Sequence, residues 1–141
     1  MNIDQEFKEY LYKRKISYTS QRLAVFKALY GSEPQEISNL IERLNPLLDR
    51  SSVYRAIRIF EKIGLINRVY SGWKYKVELS DAFQAHHHHM TCIKCKKIFM
   101  IRDESSIEKT IDNIAQKEGF TLSGHTLELQ GYCRSCNNKS A

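Results

Sequence analysis

The sequence predicts an α+β protein in two domains, and three observations carry that reading. Over the first 79 residues, amphipathic helical stripes lead into a short basic hairpin, the order of a winged helix-turn-helix. Beyond residue 85 the pattern changes to strand-like runs around one helix, a core too small to stand alone at this size. Two CxxC pairs bracket that second half, and four consecutive histidines, His86 to His89, run into the first of them. The expected division is a winged-helix DNA-binding domain over 1–79, a hinge over 80–85, and a small α/β metal-binding domain over 86–141.

Ile3, Phe7 and Leu11 recur at helical spacing and define the first helix. Thr19-Ser20 offers an N-cap for a second helix beginning Gln21-Arg22-Leu23, and Gly31 ends it. Ile37, Leu40, Ile41 and Leu44 form the apolar face of a third, over Glu36 to Leu44, broken by Asn45-Pro46. The fourth starts near Asp49 or Ser51 and runs to Ile63, with Val53, Ile57, Phe60 and Ile63 inward. Arg55, Arg58 and Lys62 share another face of it, with Ser51 one turn before Arg55. An amphipathic helix with cations outward can dock in a major groove, although a solvated charged face looks the same in isolation. Two strand-like runs, Leu65 to Tyr70 and Trp73 to Leu79, flank a turn read at Ser71-Gly72. Arg68, Lys74 and Lys76 on this wing would meet the DNA backbone, giving affinity rather than sequence discrimination. Farther on, Ile98 to Ile101 reads as a strand. Glu104 to Glu118 reads as a helix capped by Asp103, with Ile107, Ile111, Ile114 and Ala115 inward, and Thr121 to Tyr132 as a long strand.

Residues 1–80 hold 14 Lys/Arg against 9 Asp/Glu, and residues 81–141 hold 8 against 7. The basic excess therefore lies in the first domain, where a polyanion partner is plausible, though a basic surface also serves solubility. No apolar run approaches a membrane span and the N-terminus lacks the layout of a secretory signal, so a cytoplasmic protein without membrane contact is expected. In a reducing compartment CxxC pairs are metal-bound or redox-active rather than structural disulfides.

Cys92, Cys95, Cys133 and Cys136 are all the cysteines of the chain, and four thiolates close a tetrahedral structural zinc site with no open catalytic position. The histidines are then surplus to that site. In an extended chain alternate side chains point to opposite faces, so His87 and His89 share one face and His86 and His88 the other. Asp81, Asp103, Glu104, Glu108 and His125 are the nearby groups from which each pair would recruit further ligands. Imidazole with carboxylate suits zinc, iron(II), manganese, nickel or cobalt without choosing among them.

These motifs, in this order, resemble the ferric uptake regulator family of metal-responsive transcription factors. The resemblance spans about residues 7–136. It is carried by Thr19-Ser20-Gln21-Arg22-Leu23-Ala24-Val25, Ser51-Ser52-Val53-Tyr54-Arg55, Phe60 to Ile66, the histidine run with both CxxC pairs, and Gly119-Phe120 followed by His125 to Cys133. It implies a homodimer formed through the zinc-stapled C-terminal domains, with each winged helix entering half of a pseudo-palindromic operator in double-stranded DNA. Arg22, Ser51, Ser52, Tyr54, Arg55, Arg58 and Lys74 are the expected DNA-binding residues. The regulatory metal site is expected at Asp81, His87 and His89 with Glu33 and Asp103, and an additional site at His86, His88, Glu108 and His125. Three positions depart from the family pattern. Met100 stands where an acid is usual, His88 where many members have Asp, and Glu33 is the nearest match to a ligand that is often His. A nitrogen-rich set tilts the second divalent ion toward Zn2+ or Ni2+ over Fe2+ or Mn2+. The expected function is a metal-dependent transcriptional repressor, not an enzyme. Competing readings are a peroxide-sensing regulator of the same family, a zinc-dependent hydrolase, a dithiol oxidoreductase, and a DNA binder that keeps zinc for folding only.

Overall fold

The computed structural model describes residues 2–101 and 105–138. They form two compact units that divide after Gln84.

In the first unit, α1 (Ile3–Lys13), α2 (Ser20–Leu29), α3 (Ile37–Leu44) and α4 (Arg50–Lys62) precede the hairpin of β1 (Ile66–Ser71) and β2 (Lys74–Leu79). The helix starts are chemically specified. The Asn2 side chain accepts from the Asp4 N–H, Thr19 Oγ1 accepts from the Arg22 N–H at 3.1 Å, and Asp49 Oδ1 accepts from the Ser52 N–H at 2.9 Å. Each satisfies an amide that the first turn leaves without an intrahelical partner. The helical stripes converge on an aromatic core. Phe7 stacks on Phe26 with ring centroids 4.3 Å apart, and Phe60 meets Phe7 edge-on at 5.8 Å. Val53, Ile57, Leu65, Val77 and Leu79 close the core from α4 and the hairpin. Val77 also exchanges both backbone hydrogen bonds with Gln35, a single antiparallel bridge on the wing's β2 side.

Two expectations shift here. The hairpin pairs Ser71 with Lys74, so its two-residue turn is Gly72-Trp73 and not Ser71-Gly72. Gly72 at φ +67° supplies the positive torsion that the first central position of such a turn demands. The segment read as a hinge makes contacts within the first unit. The Ser80 N–H donates to the Leu65 carbonyl at 2.8 Å, and Phe83 packs edge-on against Phe26 at 4.9 Å and Tyr10 at 5.4 Å. Residues 80–84 are thus part of the first unit's packing.

In the second unit β3 (His88–Cys92) is the central strand, antiparallel to β4 (Ile98–Ile101) and parallel to β5 (Glu128–Gly131). A parallel neighbour needs a crossover, and α5 (Ser105–Lys117) lies within it. Two further expectations are corrected. The strand after the helix is four residues long rather than spanning Thr121 to Tyr132, because residues 121–127 are irregular. Ile114, expected inward, is 60% exposed, whereas Ala115 is buried. A short helix, α6 (Arg134–Asn138), which the sequence did not announce, carries Cys136. The proposed Asp103 cap lies outside the described residues.

Candidate metal centres and nucleic-acid face

β3 and its approach organise the chemistry of the second unit. Cys92 ends β3, Cys95 follows in a tight turn helped by Lys96 at φ +66°, Cys133 follows β5, and Cys136 sits in α6. All four sulfurs lie within 4.8 Å of one another, and Cys95 Sγ to Cys133 Sγ is 3.8 Å. Disulfide sulfurs bond at about 2.05 Å, so this is not a disulfide. Four sulfurs at ~2.3 Å from one zinc ion would be about 3.8 Å apart, so the thiols already stand at the edge length of a zinc tetrahedron. The backbone N–H groups of Cys133 and Cys95 donate to Cys92 Sγ at 3.4 and 3.5 Å. Those amides hold the Cys92 thiol down to about 6, while burial pushes Cys136 up to about 12. Such a quartet suits a cation that neutralises the sulfurs the amides do not reach.

The alternation read from the histidine run is present in the structure, although β3 proper begins only at His88. On one face His88 Nε2 donates to Glu108 Oε1 at 2.8 Å. His125 Nε2 and His86 Nε2 reach the same oxygen at 3.2 and 3.3 Å, and the His86 and His125 nitrogens are 3.4 Å apart. Ligands at ~2.0–2.1 Å around one ion would be about 3.3 Å apart in a tetrahedron, so this set of three imidazoles and one carboxylate fits a divalent cation. The His88 hydrogen bond, with His125 and His86 beside it, lowers the Glu108 pKa from the ordinary carboxylate value. Its place on α5 and the irregular path through His125 bring together residues 39 apart in sequence. On the other face His87 and His89 meet edge-on at 4.8 Å, with His89 buried.

The remaining expected ligands have separate placements. Asp81 is exposed just after β2, and Glu33 is exposed in the connection between α2 and α3. Asp103 lies outside the described residues. Sequence reading passed over Glu78, which is only 4% exposed. Strand alternation would have flagged it. Its neighbours Val77 and Leu79 are the core-facing pair, so Glu78 belongs on the opposite face, and burial there is unusual for a carboxylate.

In the first unit, Arg50, Ser51, Tyr54, Arg55 and Arg58 line one shallow depression along α4. Arg50 is an addition to the expected set, with its guanidinium 5.6 Å from the Tyr54 ring centre. Ser52 differs from the rest. It is buried, its backbone N–H donates to the capping Asp49 carboxylate, and its hydroxyl accepts from Arg55 at 3.2 Å. It therefore positions Arg55 rather than presenting a free hydroxyl. The Arg22 side chain folds back onto Ser17, while Lys74 is exposed at the wing. Arg68, read as a wing cation for phosphate, instead forks onto Glu61 of α4 at 2.6 and 3.0 Å.

Comparison with known proteins agrees with this architecture. Residues 13–130 match the Ferric uptake regulator family. The chain is 32% identical to the ferric uptake regulation protein of Campylobacter jejuni over 146 residues, covering 97% of this chain and 90% of that protein. Among solved structures, it is similar to the Helicobacter pylori ferric uptake regulator, a protein with three functional metal-binding sites. That match has a TM-score of 0.79 at 23% identity and covers 97% of this chain and 95% of the other. It is also similar to the Vibrio cholerae ferric uptake regulator, whose structure shows rearranged DNA-binding domains. There the TM-score is 0.70 at 28% identity, with 89% and 98% coverage. The chain belongs to the ferric uptake regulator family, whose members are metal-binding, DNA-binding transcription regulators and not enzymes.

Proposed function

We propose that this protein is a homodimeric repressor whose hold on a pseudo-palindromic operator depends on a sensed divalent cation. The observation that carries the reading is the separation of the histidine run into two constellations, with the cysteine quartet independent of both. Zinc in the quartet is structural, since four thiolates leave no open position. His86, His88, Glu108 and His125 form a second, nitrogen-rich site. His87 and His89, with Asp81 as the acid the sequence resemblance indicates, are the ligands of the regulatory ion. That ion favours the DNA-binding state of the protein, and it acts only through its differential affinity for that state.

The second unit offers the material for a dimer. Met90 pairs with Phe99 on one side and Leu129 on the other, so an apolar row crosses all three strands. Met90 and Leu129 are 41% and 44% exposed. A row of this kind left to solvent matches a surface that a second copy covers. Donor chemistry rich in imidazole favours Zn2+ or Ni2+ as the sensed ion over Fe2+ or Mn2+.

The test is operator affinity at fixed salt, measured on zinc-replete dimer with and without added Zn2+, Ni2+, Fe2+ or Mn2+. Affinity should rise at least tenfold with the sensed ion, and His89→Ala should lose that rise while keeping its structural zinc. Equal affinities across all conditions would defeat the reading and favour a binder that keeps zinc for folding only.

A further inference from the structure

We propose that Trp73, at the tip of the wing, is a DNA-contact residue that packs against the sugar–phosphate wall of the duplex beside the groove entered by α4. The inference rests on the DNA-binding reading above and adds a residue that neither helix pattern nor charge identifies.

The fold makes no use of this side chain. The hairpin turn needs glycine at its first central position and leaves the second open to any residue, and the chain places its only tryptophan there. The indole is 86% exposed, the most exposed of the large apolar side chains described. At the end of a hairpin that protrudes from the helices, an indole so placed offers a flat apolar face with one polar N–H, the kind of surface a partner can cover. The surroundings say what kind of partner. The Lys74 ammonium lies 5.4 Å from the indole centre, so the ring's flank is cationic. Arg68 is spent on Glu61 and on the Tyr75 ring, 4.3 Å away, which leaves Lys74 beside the tip and Lys76 farther along β2 as the wing's other cations.

The same Arg68 fork ties β1 to α4. The wing is therefore fixed to the helix that presents Tyr54 and Arg55, and it travels with that helix onto a duplex. An indole offers a flat face for a deoxyribose and one N–H donor for a phosphate oxygen, with no charge of its own. It should add affinity without adding counterion release, unlike Lys74 beside it.

Because Trp73 is unique, its fluorescence reports on the wing alone. The experiment uses the full-length, metal-loaded protein and a duplex selected by that protein from a random-sequence pool. On binding, indole emission should be quenched or shifted and shielded from acrylamide. Trp73→Ala should melt at the wild-type temperature and bind about tenfold more weakly, with the salt dependence of affinity unchanged. Lys74→Ala should reduce the slope of log affinity against log salt by about one. Trp73→Phe should recover part of the loss. Unchanged emission at saturating duplex, or wild-type affinity in Trp73→Ala, overturns the assignment while leaving the DNA reading intact. Failure of the wild type to bind any duplex better than Arg55→Ala overturns both.

Discussion

The first unit buries Phe7, Phe26 and Phe60 completely, together with a continuous set of aliphatic side chains from four helices and a hairpin. In the second unit the buried side chains include Ile98 and Ala115 but also His88, His89, Cys92 and Cys136. One unit is therefore held by apolar burial, and the other relies on groups that are poor core formers until a cation joins them. Such a division suits a sensor. The first unit has a core that needs no cation, while the cysteine quartet and the His86, His88, Glu108 and His125 set lie in the second.

The largest effect that should separate the two units is removal of zinc. Cys133→Ser, or a strong chelator, should abolish the cooperative unfolding of the second unit and dissociate the dimer, because metal binding and folding are coupled in small metal-stapled domains. Helical circular dichroism from the first unit should persist, and metal analysis should show the zinc gone. A zinc-free protein that remains dimeric would erase the contrast. An intermediate effect comes from the other side. Phe26→Ala should destabilise the first unit by about 3–5 kcal/mol, with cysteine-bound zinc unchanged. Urea unfolding followed alongside zinc release checks whether the two losses are independent. The smallest effect lies at the start of α4. Hydrogen bonds from the Ser52 hydroxyl and then its backbone amide hold the Asp49 carboxyl below its ordinary value of 3.8. A lowered folded-state pKa stabilises the protein above the ordinary value, and that contribution disappears as pH falls through the lowered one. Urea midpoints of the first unit measured from about pH 5 to about pH 3 should therefore fall more steeply in the wild type than in Asp49→Asn.

Much of this was legible in the chain, for reasons that differ by region. Helix starts at Thr19 and Asp49 were readable because a cap is a local exchange between one side chain and one amide. The division of His86 to His89 into two pairs followed from the two-residue period of extended backbone, which holds even where the ladder has not begun. Family resemblance then picked Glu108 and His125 out of the five candidate groups, a choice no local period could make. What escaped was set by tertiary context. Arg68 read as a free cation because its partner Glu61 sits on another element. The one-residue error in the turn arose because both Ser71 and Gly72 are turn formers, and only the register shows that Ser71 still pairs. Ile114 fits a helical stripe as well as Ala115 does, yet only Ala115 of the two is buried.

The cysteine quartet has a consequence for synthesis. Cys92 accepts from the backbone amide of a residue 41 positions later, and Cys136 comes later still. A growing chain has two of the four sulfurs long before it has the others, so the site cannot close until the last knuckle has left the ribosome. The first unit, with all its core residues before Gln84, can fold while the rest is still being made. For an interval the core of the first unit is complete while the cysteine quartet is not, and Cys136, the last of its sulfurs to emerge, sets the moment at which the quartet can close.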